Sequence, residues 1–93
     1  MRYIISFGKR FRKRFRTLQR SGVFNIVEKL DNAIESLRNG QELHISFKDH
    51  ALQGKLSDYR EFHLSGDLLV LYKLHKELGL IEIVSIGSHD DFF

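Results

Sequence analysis

The sequence contains no cysteine and no apolar stretch long enough to cross a membrane. Without cysteine there is no disulfide framework, so nothing argues for an oxidising compartment and we expect a cytoplasmic protein. The apolar run at 3–5 is too short for the core of a secretory signal. Of the 93 residues, 42% are hydrophobic and 29% are charged, which predicts one globular domain spanning 1–93.

Recognisable metal and nucleophile motifs are also missing. There is no HExxH, no cysteine pair and no pair of histidines at helical spacing, so we expect no metal and no cofactor. A glycine-rich phosphate loop and a serine in a nucleophile elbow are absent too. What remains for chemistry is histidine together with carboxylates and arginine.

Acidic residues are absent from the first 20 positions, which hold eight basic ones, whereas the rest of the chain holds seven basic and twelve acidic residues. This split predicts a polyanionic or acidic partner at the basic end. A membrane surface is less favoured, because the apolar stripe of the same segment is needed to close a small core. The cations that we expect to dock on a polyanion are Arg10, Arg12, Lys13, Arg14 and Arg16.

The hydrophobic pattern predicts an α+β fold. Residues 2–7 are β-branched and aromatic, and they predict an edge or near-edge strand. Apolar residues then recur at helical spacing over 8–19 and 23–37, which predicts two amphipathic helices. Ser21-Gly22 joins them as an antiparallel hairpin, and Asn39-Gly40 ends the second helix with a left-handed cap.

The second half of the chain predicts a meander of three strands, 58–65, 68–74 and 78–86, after a long loop over 41–56. Together with the N-terminal strand they form a mostly antiparallel sheet that has the helix hairpin on one face. A short tail, 88–93, follows.

The first meander strand alternates, with Phe62 and Leu64 pointing to the core. Tyr59, Glu61 and His63 then lie on the opposite face, which is open to solvent and could hold a substrate.

Histidine, carboxylate and arginine suit the cleavage of RNA without a metal. One group removes the 2′-hydroxyl proton, another protonates the leaving 5′-oxygen, and a cation stabilises the phosphorane. Histidine serves both proton roles because its ordinary pKa lies near neutrality. Single-stranded bases would stack on aromatic side chains such as Tyr59 or Phe93.

Each of these residues also has a simpler interpretation. His44 and His75 are interpreted as surface residues in a loop and a turn, and sequence spacing cannot show that His50 and His89 converge. Glu61 and Asp67 could be ordinary solvated acids. The terminal Phe92-Phe93 is as consistent with a core plug as with base stacking.

Several short runs match a known family in order and spacing. The runs KDHALQGK at 48–55 and YREFH at 59–63, Asp67 followed by LLVLYKL, then GSH at 87–89 and a terminal phenylalanine resemble toxins of the YafQ type in the RelE/ParE superfamily. The resemblance covers essentially the whole chain.

This resemblance implies the toxin of a type II toxin–antitoxin pair, an endoribonuclease that cleaves mRNA in the ribosomal A site without a metal. It implies a cognate antitoxin as partner, besides the ribosome and mRNA, and operator DNA only through the antitoxin complex. A membrane partner is not implied. The family's catalytic residues fall on His50, His63, Asp67 and His89. Residues that support catalysis or bind substrate are Lys48, Arg60, Glu61 and Phe93.

Three positions depart from the family pattern. Leu56 replaces a frequent tryptophan, Ser85 replaces an arginine that would bind phosphate, and Gly66 replaces a proline. Two other functions stay open, the first because the ParE branch shares the fold and the second because of the lost arginine. One is a non-enzymatic inhibitor of gyrase like the ParE branch, and the other is an antitoxin-binding or RNA-binding module with weakened catalysis.

Overall fold

The order of helices and strands in the computed structural model follows the sequence pattern. The structure describes residues 2–20 and 24–92, and only the backbone of Phe24 and Asn25. The elements are β1 (Ile4–Phe7), α1 (Lys9–Arg20), α2 (Phe24–Arg38), β2 (His50–Ala51), β3 (Tyr59–Ser65), β4 (Leu68–His75), β5 (Leu80–Ser88) and α3 (His89–Phe92). Short 3₁₀ turns cover Ile45–Phe47, Gly54–Leu56 and Lys76–Leu78. None of the described helices is long and apolar enough to span a bilayer.

The strands form one sheet in the order β1-β5-β4-β3-β2. β1 runs parallel to β5, and all other pairs are antiparallel. The predicted α+β class, the edge position of the first strand and the mostly antiparallel sheet are therefore confirmed. The Ser21-Gly22 connection lies outside the described residues.

Both long helices contribute to one core against the same face of the sheet. The stripe of α1 stacks in sequence, with 5.5 Å between the ring centroids of Phe7 and Phe11 and 5.4 Å between those of Phe11 and Phe15. Phe62 and Leu64 of β3 face this core, as the alternation predicts. The remaining buried members are Ile26, Leu30, Ala33, Ile34, Leu37, Val70, Tyr72, Ile81, Ile83 and Ile86.

The predicted left-handed cap at the end of α2 is also confirmed. Gly40 has a φ of 71°, and its amide donates to the Leu37 carbonyl at 3.1 Å. The next amide, of Gln41, donates to the Ser36 carbonyl at 2.9 Å, which completes a Schellman motif.

A β-bulge in β5 changes which side chains face the helices. Tyr72 pairs with Ile83 whereas Leu71 pairs with Ser85, so Val84 is the extra residue. The shift keeps Ile83 and Ile86 in the core and turns Ser85 to the opposite face. There the Ser85 side chain is 1% exposed.

The loop predicted over 41–56 is partly wrong. It contains two 3₁₀ turns and the two-residue strand β2, which adds a fifth strand next to β3. A two-residue strand has no repeating pattern, so the sequence could not indicate it. The last strand runs to Ser88 rather than 86, and the predicted tail begins as α3.

Hydrogen bonds among three polar side chains attach Asp49, the residue before β2, to the core face of the sheet. The Tyr72 hydroxyl donates to Asp49 Oδ1 at 2.6 Å, and Arg60 contacts both carboxylate oxygens of Asp49 at 3.3 Å. Burial raises the pKa of Tyr72, and its hydrogen bond to Asp49 adds to the increase. Burial alone would lower the pKa of Arg60, but the bonds to Asp49 and Tyr72 outweigh it and leave that pKa above its ordinary value.

We expect Tyr72→Phe to lower the free energy of unfolding by about 1–3 kcal/mol, because the charged Asp49 loses a buried donor. Tyr59→Phe is the matched control, since the Tyr59 ring contacts Lys73 through its face and not through its hydroxyl. Urea unfolding of both variants measures the difference. Equal stabilities would contradict the anchoring role of the Tyr72 hydroxyl.

Candidate active site

Three side chains from two neighbouring strands meet on the face of the sheet away from the helices. His50 of β2 pairs directly with Glu61 of β3, and His63 lies two residues further along the same face. One ligand atom from each residue lies within 4.8 Å of the other two. The ring centroids of His50 and His63 are 6.2 Å apart. The pairing of β2 with β3 thus creates a compact cluster, which we call the His–Glu cluster.

The contacts of His50 fix where its protons are. Nδ1 lies 2.8 Å from the carbonyl oxygen of Lys48, which can only accept, so Nδ1 carries a proton. Nε2 lies 2.8 Å from Oε1 of Glu61, and this contact requires one more proton on either the imidazole or the carboxyl group. The pair can therefore share a proton, held by either group.

Glu61 is unusual among the acids because it is buried, with 6% of its side chain exposed, whereas His50 is half exposed. Its second oxygen, Oε2, has no hydrogen-bond partner among the described residues. The interpretation of Glu61 as a solvated acid is wrong, because the neighbouring strands and His50 cover it. A buried carboxylate oxygen without a donor lowers the free energy of unfolding, so this position is not explained by stability.

His89 approaches the cluster from the end of β5. It lines a cavity of about 310 Å³ together with His50 and Glu61, and the other lining residues are Ala51, Leu52 and Gln53. The fold therefore brings three of the candidate histidines, His50, His63 and His89, to one region.

Asp67 and Lys48 lie at the border of this region. Asp67 is exposed in the turn before β4, and it makes no hydrogen bond or ion pair within the described part of the chain. Its neighbour Leu68 pairs with Ser88, so Asp67 and His89 flank the same end of the sheet. Lys48 is exposed with a φ of 51° and presents its carbonyl to His50.

Two other candidate residues are not placed at the cluster. Arg60 precedes Glu61 on β3, so its side chain emerges on the opposite face, where it binds Asp49 and Tyr72. Phe93 lies outside the described residues.

The basic face of α1 is exposed as predicted, with one exception. Arg10, Arg12, Lys13 and Arg16 face solvent. Arg14 is half-buried, and its Nη1 lies 3.4 Å from Oδ2 of Asp91 on α3. The role of these cations in docking stays a prediction.

The His–Glu cluster has the donor types that bind a transition metal. Two imidazole nitrogens and one carboxylate oxygen are suitable ligands for Zn²⁺ or Cu²⁺, and an exogenous ligand would complete the coordination. The sequence pattern did not indicate this set, because His50 lies 11 residues before Glu61 and 13 before His63, on a different strand.

The fold and this site together define a small α+β toxin domain, and comparison with known proteins agrees. Residues 3–93 match the family model described as the bacterial toxin of a type II toxin–antitoxin system, YafQ. The chain belongs to this YafQ toxin family.

Individual relatives are similar over most or all of the chain. A Haemophilus influenzae protein named toxin YafQ is 36% identical over 70 residues, which cover 74% of this chain and 69% of the relative. A metal-bound toxin from Helicobacter pylori aligns over 100% of both chains with a TM-score of 0.87 and 34% identity. The YafQ of the Escherichia coli DinJ-YafQ toxin-antitoxin complex aligns over 100% of this chain and 99% of its own, with a TM-score of 0.84 and 26% identity.

We expect Glu61→Leu to raise the free energy of unfolding by about 1–3 kcal/mol, because it removes a buried oxygen that has no donor. The control is Glu82→Leu, which removes the partially exposed acid that pairs with His75 at 3.3 Å and should change stability by at most about 0.5 kcal/mol. Thermal unfolding measures both. A clear loss of stability in Glu61→Leu would show that the carboxylate stabilises the fold.

Proposed function

We propose that this toxin is a ribosome-dependent endoribonuclease that stops translation by cleaving mRNA in the cytoplasm. The observation that carries the proposal is the proton-sharing His50–Glu61 pair, which borders the same cavity as His89. A module that only binds its target has no need for a buried carboxylate held against an imidazole. The gyrase-inhibitor and weakened-module alternatives have no such observation in their favour.

The reaction that suits this arrangement is attack of the RNA 2′-hydroxyl on the adjacent phosphorus. The His50–Glu61 pair takes the hydroxyl proton through His50, which is half exposed, because Oε2 of Glu61 is closed to solvent. The 2′-oxygen bonds to phosphorus while the bond to the 5′-oxygen breaks, and His89 gives that oxygen a proton. The products are a 2′,3′-cyclic phosphate and a free 5′-hydroxyl.

Other residues contribute charge and position in this proposal. His63 adds a second imidazole beside His50. Lys48 is the exposed cation next to the cluster. It offsets the negative charge that develops on the phosphorane, a role that the arginine replaced by Ser85 would otherwise have. Asp67 acts beside His89 at the same end of the sheet. Phe93 supplies the stacking surface that the resemblance implies.

The distribution of charge on the surface suggests where ribosomal RNA and the antitoxin bind. The exposed cations of α1 contact ribosomal RNA phosphates, which position the toxin without reading sequence. A cognate antitoxin binds the toxin, a proposal that the DinJ-YafQ toxin-antitoxin complex of Escherichia coli supports. Operator DNA is reached only through the complex of this toxin with its own antitoxin. A cavity of about 790 Å³ between α1 and α2 has an apolar floor that includes Phe11, Phe15 and Ile34, with Arg12 and Arg16 also lining it. Asp31 and Glu35 line the side of α2, so the cavity suits an amphipathic segment of the antitoxin whose acidic residues face α1.

The His–Glu cluster also suits a transition metal, as the metal-bound toxin of Helicobacter pylori suggests. A cation there would occupy the lone pairs that the proposed proton transfer uses. We therefore place metal binding outside the catalytic cycle, where it inhibits the toxin.

The experiment that tests the nuclease is induction of the toxin in a bacterial host with mapping of new mRNA 5′ ends. Wild type is expected to produce ends inside translated frames, and His50→Ala and His89→Ala are expected to produce none. His75→Ala is the matched control, because it removes a histidine that also pairs with a glutamate, Glu82, away from the cavity. Growth arrest without new ends would favour the gyrase inhibitor, and no arrest would favour the weakened module.

Metal binding has its own prediction. Calorimetric titration with Zn²⁺ is expected to show one site in wild type and in His75→Ala but none in His63→Ala. Cleavage on purified ribosomes should continue in the presence of EDTA and should fall as Zn²⁺ fills the site. Loss of cleavage when EDTA removes bound metal from the purified toxin would place the metal in the reaction instead.

A further inference from the structure

One carboxylate, that of Asp91, connects the short helix α3, which carries His89, to the end of β5 and to α1. Oδ2 of Asp91 accepts a hydrogen bond from the Ser88 amide at 2.7 Å and another from the Ser88 hydroxyl at 3.0 Å. The same oxygen lies 3.4 Å from Nη1 of Arg14 on α1. The hydrogen bond from the Ser88 amide, then that from its hydroxyl, lowers the pKa of Asp91, and the charge of Arg14 adds to the effect. Asp91 is therefore ionised at neutral pH.

Gly87, which precedes Ser88, leaves room for the contact between Asp91 and Arg14. A Cβ on Gly87 would lie 2.6 Å from Oδ2 of Asp91 and 3.2 Å from Nη1 of Arg14. Real Cβ atoms are not found as close as the first distance, so any larger residue would displace the carboxylate. The need for glycine here is one of space, and not of backbone conformation.

His89 lies between the two residues that this carboxylate joins, Ser88 and Asp91, and it borders the cavity with His50 and Glu61. We infer that Arg14 and Asp91 are positioning residues that hold His89 in place over the His–Glu cluster. This inference rests on the proposed function, since it concerns how the acid of that reaction is placed. Arg14 then differs in role from the other cations of α1.

The expected sizes of two effects distinguish a positioning role of the Arg14–Asp91 pair from a stabilising one. The Arg14 and Asp91 side chains are 38% and 36% exposed, and an ion pair so accessible to water adds little to the free energy of unfolding. Misplacement of a catalytic group by about 1 Å, by contrast, costs about 100-fold in rate. Breaking the pair should therefore affect turnover far more than stability.

The kinetic test uses single substitutions assayed on ribosomes programmed with mRNA. Asp91→Ala and Arg14→Gln are expected to lower kcat by about 10- to 100-fold with KM nearly unchanged. Asp90→Ala, at a neighbouring exposed position, and Arg2→Gln, at an exposed position outside α1, make the same charge changes and should retain wild-type kinetics. The double variant should be no slower than the worse single variant, because the two residues act as one unit.

A second measurement does not depend on cleavage. NMR of the histidine side chains, with His89 assigned from His89→Gln, is expected to show shifted His89 ring resonances in Asp91→Ala and in Arg14→Gln but not in either control. A wild type that does not cleave RNA would refute the proposed function, while the NMR result would still decide the positioning role.

Two outcomes would overturn the inference. Unchanged His89 resonances in both variants would show that the pair does not place this side chain. A higher KM for Arg14→Gln at normal kcat would show that Arg14 binds the ribosome like its neighbours.

Discussion

The direct pairing of His50 with Glu61 across two short stretches of strand is the contact on which the proposed site depends. β2 has only two residues, so its own ladder cannot hold it, and Asp49 supplies the rest by binding Arg60 and Tyr72 on the core face. The same strand pair thus has a structural polar network on one side and the His–Glu cluster on the other. Alternation along β3 puts the polar network and the His–Glu cluster on opposite faces of the sheet. The network can therefore be rigid while His50 in the cluster stays accessible to solvent.

The sheet accepts a cost in stability to present this cluster. Glu61 and Ser85 are both buried on the face away from the helices, and each has a side-chain oxygen without a partner among the described residues. Nothing in the core requires a polar group at either position. A fold selected for stability alone would place apolar side chains there, so the two polar residues agree with the site that we propose on this face.

The sequence predicted the helices and strands that have a periodic hydrophobic pattern, and it missed the features that have none. Helical periodicity gave α2 and its Gly40 cap, and alternation gave the two faces of β3. β2 is too short to have a period, and the bulge at Val84 reverses the pattern of β5 within one residue. The burial of Glu61 and the contact of Arg14 with Asp91 arise from packing between distant segments, which no local pattern indicates. Alternation placed His63 on the open face of β3, whereas only the resemblance indicated that His50 and His89 lie near it.

The parallel pairing of β1 with β5 has a consequence for synthesis of the chain. Ile4 pairs with Leu80, so the first strand made has no sheet to join until nearly the whole chain has been translated. His89 follows β5 directly, and contacts between such distant positions form late because closing a long loop is slow. A nascent toxin still attached to its own ribosome therefore lacks an assembled site.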